Sequence, residues 1–476
     1  MRRFNAGLMF LLKVKEKFMK RIYQRAFQPV LLFFVTMLCA TLGFADPTSP
    51  TTQTAPTVQT APVAPTASPQ QSAAQSKPTP TTPVTSAAMA TSKSSAGTQE
   101  APVPTPTPTA TVSTPTVDKQ PTIIPTAPEL NAAGYVLMDA NTGMIIAHKN
   151  MHQEMQPASL TKLMTLYLTF QALKNGQIHL TDLVHVSKEA WQTGGSRMFI
   201  KENSQVTVKD LIDGIIVASG NDACVALSQY VGGNEATFVT MMNATALQLG
   251  MKNTHYVDST GLPQAEHHST PYDMALLTHG IINNFPEYYP LFKQGWITYN
   301  GIKQPNRNRL LWRDPTVDGL KTGHTQEAGY CLISSALRNG MRLIAVLMGA
   351  STDAERASDS VALLNWGFRF YQTHKLFEAN QSLATPRVWL GTHRTVPIGL
   401  SSPLYVTIPT GTYSKLKPQV DINAALHAPI KKGQVVGTLN IQLQNSVITS
   451  VPLVALQDDN KGGIFSRIWD HLVMIF

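Results

Sequence analysis

Hydrophobic positions change rhythm along this chain. Gly134-Tyr135-Val136-Leu137-Met138-Asp139 reads as a strand, Asn141-Thr142-Gly143 as a turn, and Met144-Ile145-Ile146-Ala147 as the return strand of a hairpin. Leu160, Leu163, Met164, Tyr167 and Leu168 then recur with helical spacing. Leu211, Ile212, Ile215, Ile216 and Ala218 predict a second apolar helix, ending at Ser219-Gly220. Gly220 is expected to supply the positive φ of a sharp turn. Asn221-Asp222 is expected to cap the next helix, 223–230. Farther on, strands are expected over 330–336 and 343–348, joined at Asn339-Gly340.

After Tyr371 the spacing shortens. Leu439, Ile441 and Leu443 alternate with Asn440, Gln442 and Gln444, which predicts a sheet with one buried and one wet face. This β-rich stretch is placed at 378–458. From 461 to 476 the rhythm is helical again. Ile464, Phe465, Ile468, Trp469, Leu472, Val473, Ile475 and Phe476 fill one half of the wheel, and Ser466, Arg467, Asp470 and His471 the other. That segment is too short to span a bilayer and suits an interfacial helix, with 458–463 as a flexible hinge.

Charge changes the picture only at the N-terminus. The chain of 476 residues carries a net +9, but residues 1–45 hold eight basic residues against the single acid Glu16, leaving +2 elsewhere. Nucleic-acid binding is therefore set aside. The basic stretch precedes an apolar run, Val30 to Phe44, and small residues Gly43 and Ala45 suit cleavage after Ala45. Residues 1–45 read as a signal peptide, with an uncleaved anchor over 26–45 as the competing reading. Residues 46–128, rich in Pro, Thr and Ala, bury too little to fold and read as a disordered linker. Extended, it could reach on the order of 250 Å.

The chemistry lies in three short stretches. Ser159-Leu160-Thr161-Lys162 puts a serine at the start of an apolar helix, with a lysine three residues on and on the same face. Burial would lower that lysine's pKa toward that of a useful base. Ser219-Gly220-Asn221 lies on a loop between two apolar helices. Lys321-Thr322-Gly323 opens a strand edge able to grip a carboxylate, with Gly323 allowing substrate backbone to approach. Alone, the first pattern proves little, since Ser414-Lys415-Leu416-Lys417 repeats it in a polar loop. Together they describe acyl transfer through a serine ester.

The region from about Pro128 to Trp469 resembles the serine-type D-alanyl-D-alanine carboxypeptidases, the low-molecular-mass penicillin-binding proteins of peptidase family S11. The resemblance extends to the flanks of all three stretches, to 306–312 and to 365–370. It implies an α+β fold: a serine β-lactamase/penicillin-binding-protein-like transpeptidase domain, with an antiparallel sheet flanked by helices, over 129–373. A small all-β domain and a C-terminal amphipathic, membrane-anchoring helix follow. Ser159 is then the nucleophile and Lys162 its base. The backbone N–H groups of Ser159 and His324 form the oxyanion hole. Ser219 passes a proton to the leaving D-alanine. Asn221 holds the acyl-side amide and orients Lys162. Lys321, Thr322, Gly323, Arg307 and Arg356 line the binding of the terminal carboxylate. Gly194–Met198 resembles the family's lid loop. The implied partners are a peptidoglycan stem pentapeptide, β-lactams as covalent inhibitors, and the membrane surface. The implied place is the periplasmic face of the bacterial inner membrane.

Other chemistries lack their signatures. There is no His-Glu-x-x-His, no metal or cofactor is expected, and the His267-His268 pair in a polar loop reads as solvated. Cys224 and Cys331 read as buried free thiols, though export would permit a disulfide. A D,D-endopeptidase would use the same machinery, and a non-catalytic cell-wall scaffold is the alternative of another class. A serine β-lactamase is disfavoured because no Glu-x-x-Leu-Asn stretch separates Ser219 from Lys321.

Overall fold

The computed structural model describes residues 124–422 and 425–474. The expected signal segment, and the expected linker up to residue 123, lie outside them.

Five antiparallel strands form the main sheet, in the order Ile145–Lys149, Gly134–Asp139, Met341–Ala350, Gly329–Arg338, Val317–Thr325. The uninterrupted apolar run 343–348 is explained by burial on both faces. Leu343, Ala345 and Leu347 meet the helix Asp353–Phe370 through Leu363 and Leu364. Ile344, Val346 and Met348 join the larger core, built with the helices Lys162–Lys174, Asn221–Gly232 and Pro271–Asn284. Asp139 closes the first hairpin by accepting the N–H groups of Asn141 and Thr142, both at 2.9 Å.

The β-rich module begins ahead of residue 378, because Tyr371–Phe377 pairs with Leu404–Pro409. Its larger sheet runs Ser382–Ala384, Ile398–Gly399, Ser446–Ala455, Val435–Leu443, Leu416–Ile422. The alternation behaves as expected. Leu439 and Ile441 are buried, while Asn440 and Gln442 bond outward to Asp421 and Gln419. Two contacts tie this module to the first hairpin: Thr373 Oγ1 to Asp139 Oδ2 at 2.6 Å, and Thr142 Oγ1 to Thr407 Oγ1 at 2.8 Å.

One expectation fails here. The stretch 458–463 is no flexible hinge but a strap on the β-rich module. Asp459 is fully buried and bridges Ile430, and its carboxylate accepts from Thr392 and His393. Gly462 N donates to Leu390 O at 2.8 Å. The buried aspartate overrides the turn-like composition, since its desolvation requires those donors. The helix Ile464–Val473 follows with no residue buried, and Asp470 accepts Leu390 N at 2.8 Å. No helix among the described residues is long and apolar enough to cross a membrane.

Candidate active site

The turn carrying Ser159 is a short 3-10 segment, Ala158–Thr161, leading directly into the helix Lys162–Lys174. Ala158 takes φ +48°, a costly left-handed value for a residue with a side chain. That helix is buried except at Gln171 and Lys174, and Lys162 is wholly buried within it while Ser159 is partly exposed. Lys162 Nζ donates to Ser159 Oγ at 3.0 Å and to Thr260 O at 2.6 Å. Burial pulls the Lys162 ammonium below the usual lysine range, and Arg307 adds to the effect.

The second stretch is built differently from the expectation. The helix Val208–Asp213 widens into a π turn, Gly214–Ala218, and the positive φ falls on Ser219 (+57°), not on Gly220 (−61°). Gly220 is needed for space: a Cβ there would sit 2.8 Å from Asp222 Oδ1 and 3.1 Å from Met198 N. The next helix starts at Asn221 with no side-chain cap on its first turn from Gly220. Asp222 accepts Ala223 N of the first turn at 2.9 Å and also reaches outward. Its buried carboxylate accepts the N–H groups of Met198, Phe199 and Ile200 at 3.0, 2.9 and 3.2 Å.

The resemblance gives Asn221 the tasks of holding the acyl-side amide and helping to orient Lys162; its hydrogen bonds run to the Gly194–Met198 loop, which resembles a lid. Asn221 Nδ2 donates to Gly194 O at 2.7 Å, and Asn221 N donates to Ser196 O at 2.7 Å. Arg307 Nη1 closes the same loop by donating to Ser196 Oγ at 2.7 Å.

The third stretch lies in the strand Val317–Thr325. Lys321 is buried, and its Nζ donates to Ser219 Oγ at 2.8 Å and to Thr322 O at 2.9 Å. Burial first, then the neighbouring Lys162, drives its pKa well below the ordinary value. Gly323 admits protein backbone: a Cβ there would lie 3.0 Å from Pro157 O and 3.3 Å from Ser159 N. The strand thus lies directly against the turn that carries Ser159. Thr322 is buried and His324 exposed, its ring 4.0 Å from that of Tyr330. Arg356 stands behind the strand, donating to Gly323 O at 2.9 Å and Cys331 O at 3.2 Å and pairing with Asp353. So Ser159 with Lys162 and Ser219 with Lys321 form two separate hydrogen-bonded pairs, while Arg307 and Arg356 are engaged by the Gly194–Met198 loop and the strand.

Cys224 and Cys331 are free and buried, and burial pushes their thiols up to about 12 and about 11. No cluster among the described residues could hold a metal ion. His267 corrects the sequence reading: it is buried rather than solvated, 2% exposed, with Nε2 2.9 Å from Thr161 Oγ1. The sequence reading also missed the stretch Asp258–Gly261. Asp258 Oδ1 accepts Thr260 N at 2.7 Å and Gly261 N at 2.6 Å, which curls the loop so that the Thr260 carbonyl meets Lys162. The Asp-Ser-Thr-Gly spacing signals the turn, but only the fold brings it to the lysine.

Comparison with known proteins places the chain in a family. The family model for D-alanyl-D-alanine carboxypeptidase, peptidase S11, matches residues 121–352, and that for the penicillin-binding protein 5 C-terminal domain matches 371–461. D-alanyl-D-alanine carboxypeptidase DacC of Escherichia coli is 44% identical over 358 residues, covering 74% of this chain and 90% of that protein. DacA of the same organism is 42% identical over 363 residues, with shares of 75% and 90%. Penicillin-binding protein 5 from Haemophilus influenzae superposes with TM-score 0.68 at 42% identity, covering 71% of this chain and 99% of that one. With the Ser159–Lys162 and Ser219–Lys321 pairs in place, the chain belongs to the serine-type D-alanyl-D-alanine carboxypeptidases of peptidase family S11.

Proposed function

We propose that this chain trims the terminal D-alanine from peptidoglycan stem pentapeptides through an ester on Ser159. The observation that carries the reading is the buried Lys162 Nζ at 3.0 Å from Ser159 Oγ. Neutral Lys162 takes the hydroxyl proton as Ser159 Oγ bonds to the penultimate D-alanine carbonyl carbon. Backbone N–H groups of Ser159 and His324 hold the oxyanion. The C–N bond then breaks, and the departing D-alanine nitrogen receives a proton through Ser219, which Lys321 holds at 2.8 Å. Water hydrolyses the ester. Thr322 and Arg307 receive the substrate carboxylate; Arg307 exchanges its Ser196 partner for it. Arg356 acts from behind by fixing Gly323. A β-lactam takes the same path to the ester and leaves slowly.

The test uses the full chain with labelled penicillin and with a pentapeptide ending in D-Ala-D-Ala, beside Ser159→Ala. Wild type takes the label and releases D-alanine; the variant loses both by a factor of about 10³ or more. A labelled variant would falsify the assignment of the nucleophile. Release of cross-linked peptides without free D-alanine would favour endopeptidase action instead.

The exposed apolar side of 464–473 supports a membrane-surface anchor. Phe465 is 90% exposed and Trp469 64%, a side no protein group covers among the described residues. Together with the export signal read in residues 1–45, it supports a reading of the enzyme as peripheral on the periplasmic face of the inner membrane. Liposome flotation with and without residues 460–476 tests it; equal flotation would count against the anchor.

A further inference from the structure

We propose that His267 is a positioning residue for the catalytic lysine, a strut that ties the Ser159–Lys162 turn to the Asp258–Gly261 loop and keeps the Thr260 carbonyl on Lys162 Nζ. The inference rests on the reading of Lys162 as the base.

The hydrogen bonds define the strut. On one side His267 Nε2 lies 2.9 Å from Thr161 Oγ1, the residue next to Lys162. On the other, His267 Nδ1 accepts Val257 N at 3.4 Å, at the start of the loop that carries Thr260. A ring nitrogen that accepts an N–H carries no proton in the neutral imidazole, so the proton sits on Nε2 and is donated to Thr161. The same two segments meet at two other points. Thr165 Oγ1 donates to Ser259 O at 2.7 Å, and Lys162 Nζ to Thr260 O at 2.6 Å. Gly261, at φ +81°, is so close to the turn that a Cβ would collide with Ala158 O. Loop and turn therefore have no room for a replacement spacer, and a side chain that both donates and accepts fits the gap.

The surroundings keep the ring neutral. Asp258 Oδ2 is 3.9 Å from Nδ1, His255 and His268 lie on the adjoining bridge, Lys162 faces it from the helix, and the Tyr256 ring packs edge-on at 5.7 Å. Burial outweighs Asp258 and lowers the imidazole to about 4.

The experiment measures single-turnover acylation of the full chain by labelled penicillin across pH, after titrating the active fraction. Variants are His267→Leu, His267→Gln and Thr161→Val, with Lys162→Ala as reference. Losing the Thr260 acceptor destabilises the ammonium form of Lys162. So in His267→Leu the ascending limb of rate against pH moves to lower pH, and the plateau falls about tenfold to a hundredfold from misalignment. Thr161→Val moves both the same way and covers the case in which His267→Leu does not fold. Gln can donate to Thr161 and accept from Val257, and it restores most of the rate and the limb. The inference is overturned by a wild-type rate and limb in His267→Leu or Thr161→Val. It is equally overturned by a reduced active fraction whose remaining enzyme keeps the wild-type limb, the signature of a merely structural role. Rapid acylation in Lys162→Ala would instead overturn the base reading itself.

Discussion

Two helices of this chain share an apolar composition and have opposite fates. Of the helix Lys162–Lys174, nearly every residue is buried, Lys162 included. Of the helix Ile464–Val473, none is. In the first, only Gln171 and Lys174 reach water, so a lysine at its other end can be held without it. In the second, the apolar residues are gathered on one side and the polar Asp470 reaches Leu390 N and Arg387 on the other. What separates a core helix from a surface-seeking one here is how the apolar residues are distributed, not how many there are. The buried helix lowers the pKa of its lysine by excluding water, and the exposed one leaves its apolar side open to solvent.

The largest effect should come from removing equivalent leucines. Leu163 is fully buried, so Leu163→Ala is expected to cost about 2–5 kcal/mol in a denaturant midpoint measurement. Leu472 is 40% exposed, and Leu472→Ala is expected within about 0.5 kcal/mol of wild type. Similar losses for both would break the contrast, because they would mean that the terminal helix contributes a core of its own.

Next in size is an acid limb that only the buried side can show. His267 titrates in the unfolded chain near the ordinary 6.5 but at about 4 when folded. Between those values the unfolded state binds more protons, so stability falls with falling pH. The contribution is present above pH 6.5 and lost as pH falls through 4, at most about 3 kcal/mol. His267→Gln should flatten this part of the curve when midpoints at pH 7 and pH 4 are compared with wild type. An unchanged slope would show that the imidazole is solvated after all.

How far the sequence reveals the molecule follows from the range of each interaction. The hairpin turns, the alternation about Leu439 and the helical spacing of 160–168 are local, and they read directly. The three motif stretches were legible because chemistry restricts their residue types. The partners of Lys162 were not. Thr260 lies 98 residues away and contributes a carbonyl, which every residue possesses. His267 gave the wrong impression because its flanks are polar, yet Thr161 and the Tyr256 ring enclose it. Ser219 and Gly220 exchanged roles because composition suggested which residue tolerates a positive φ, while packing against Met198 decided which needed to lack a side chain. The strap 458–463 looked like a hinge because the donors that fix Asp459 lie near residue 392.

The smallest effect sharpens the comparison most, since only one of the two helices can be uncoupled from its module. Asp470 accepts Leu390 N at 2.8 Å and lies 3.4 Å from Arg387, which is half-exposed, so the ion pair adds little beyond the backbone bond. Asp470→Ala should therefore cost about 1 kcal/mol locally. Hydrogen exchange at the Leu390 amide should quicken by about fivefold, with the denaturant midpoint of the whole protein unmoved. Liposome flotation should persist, because the apolar side is untouched. If flotation fell while the helix stayed formed, the polar side would be setting the helix's orientation toward the membrane. The β-rich module would then aim the apolar side, in addition to carrying it.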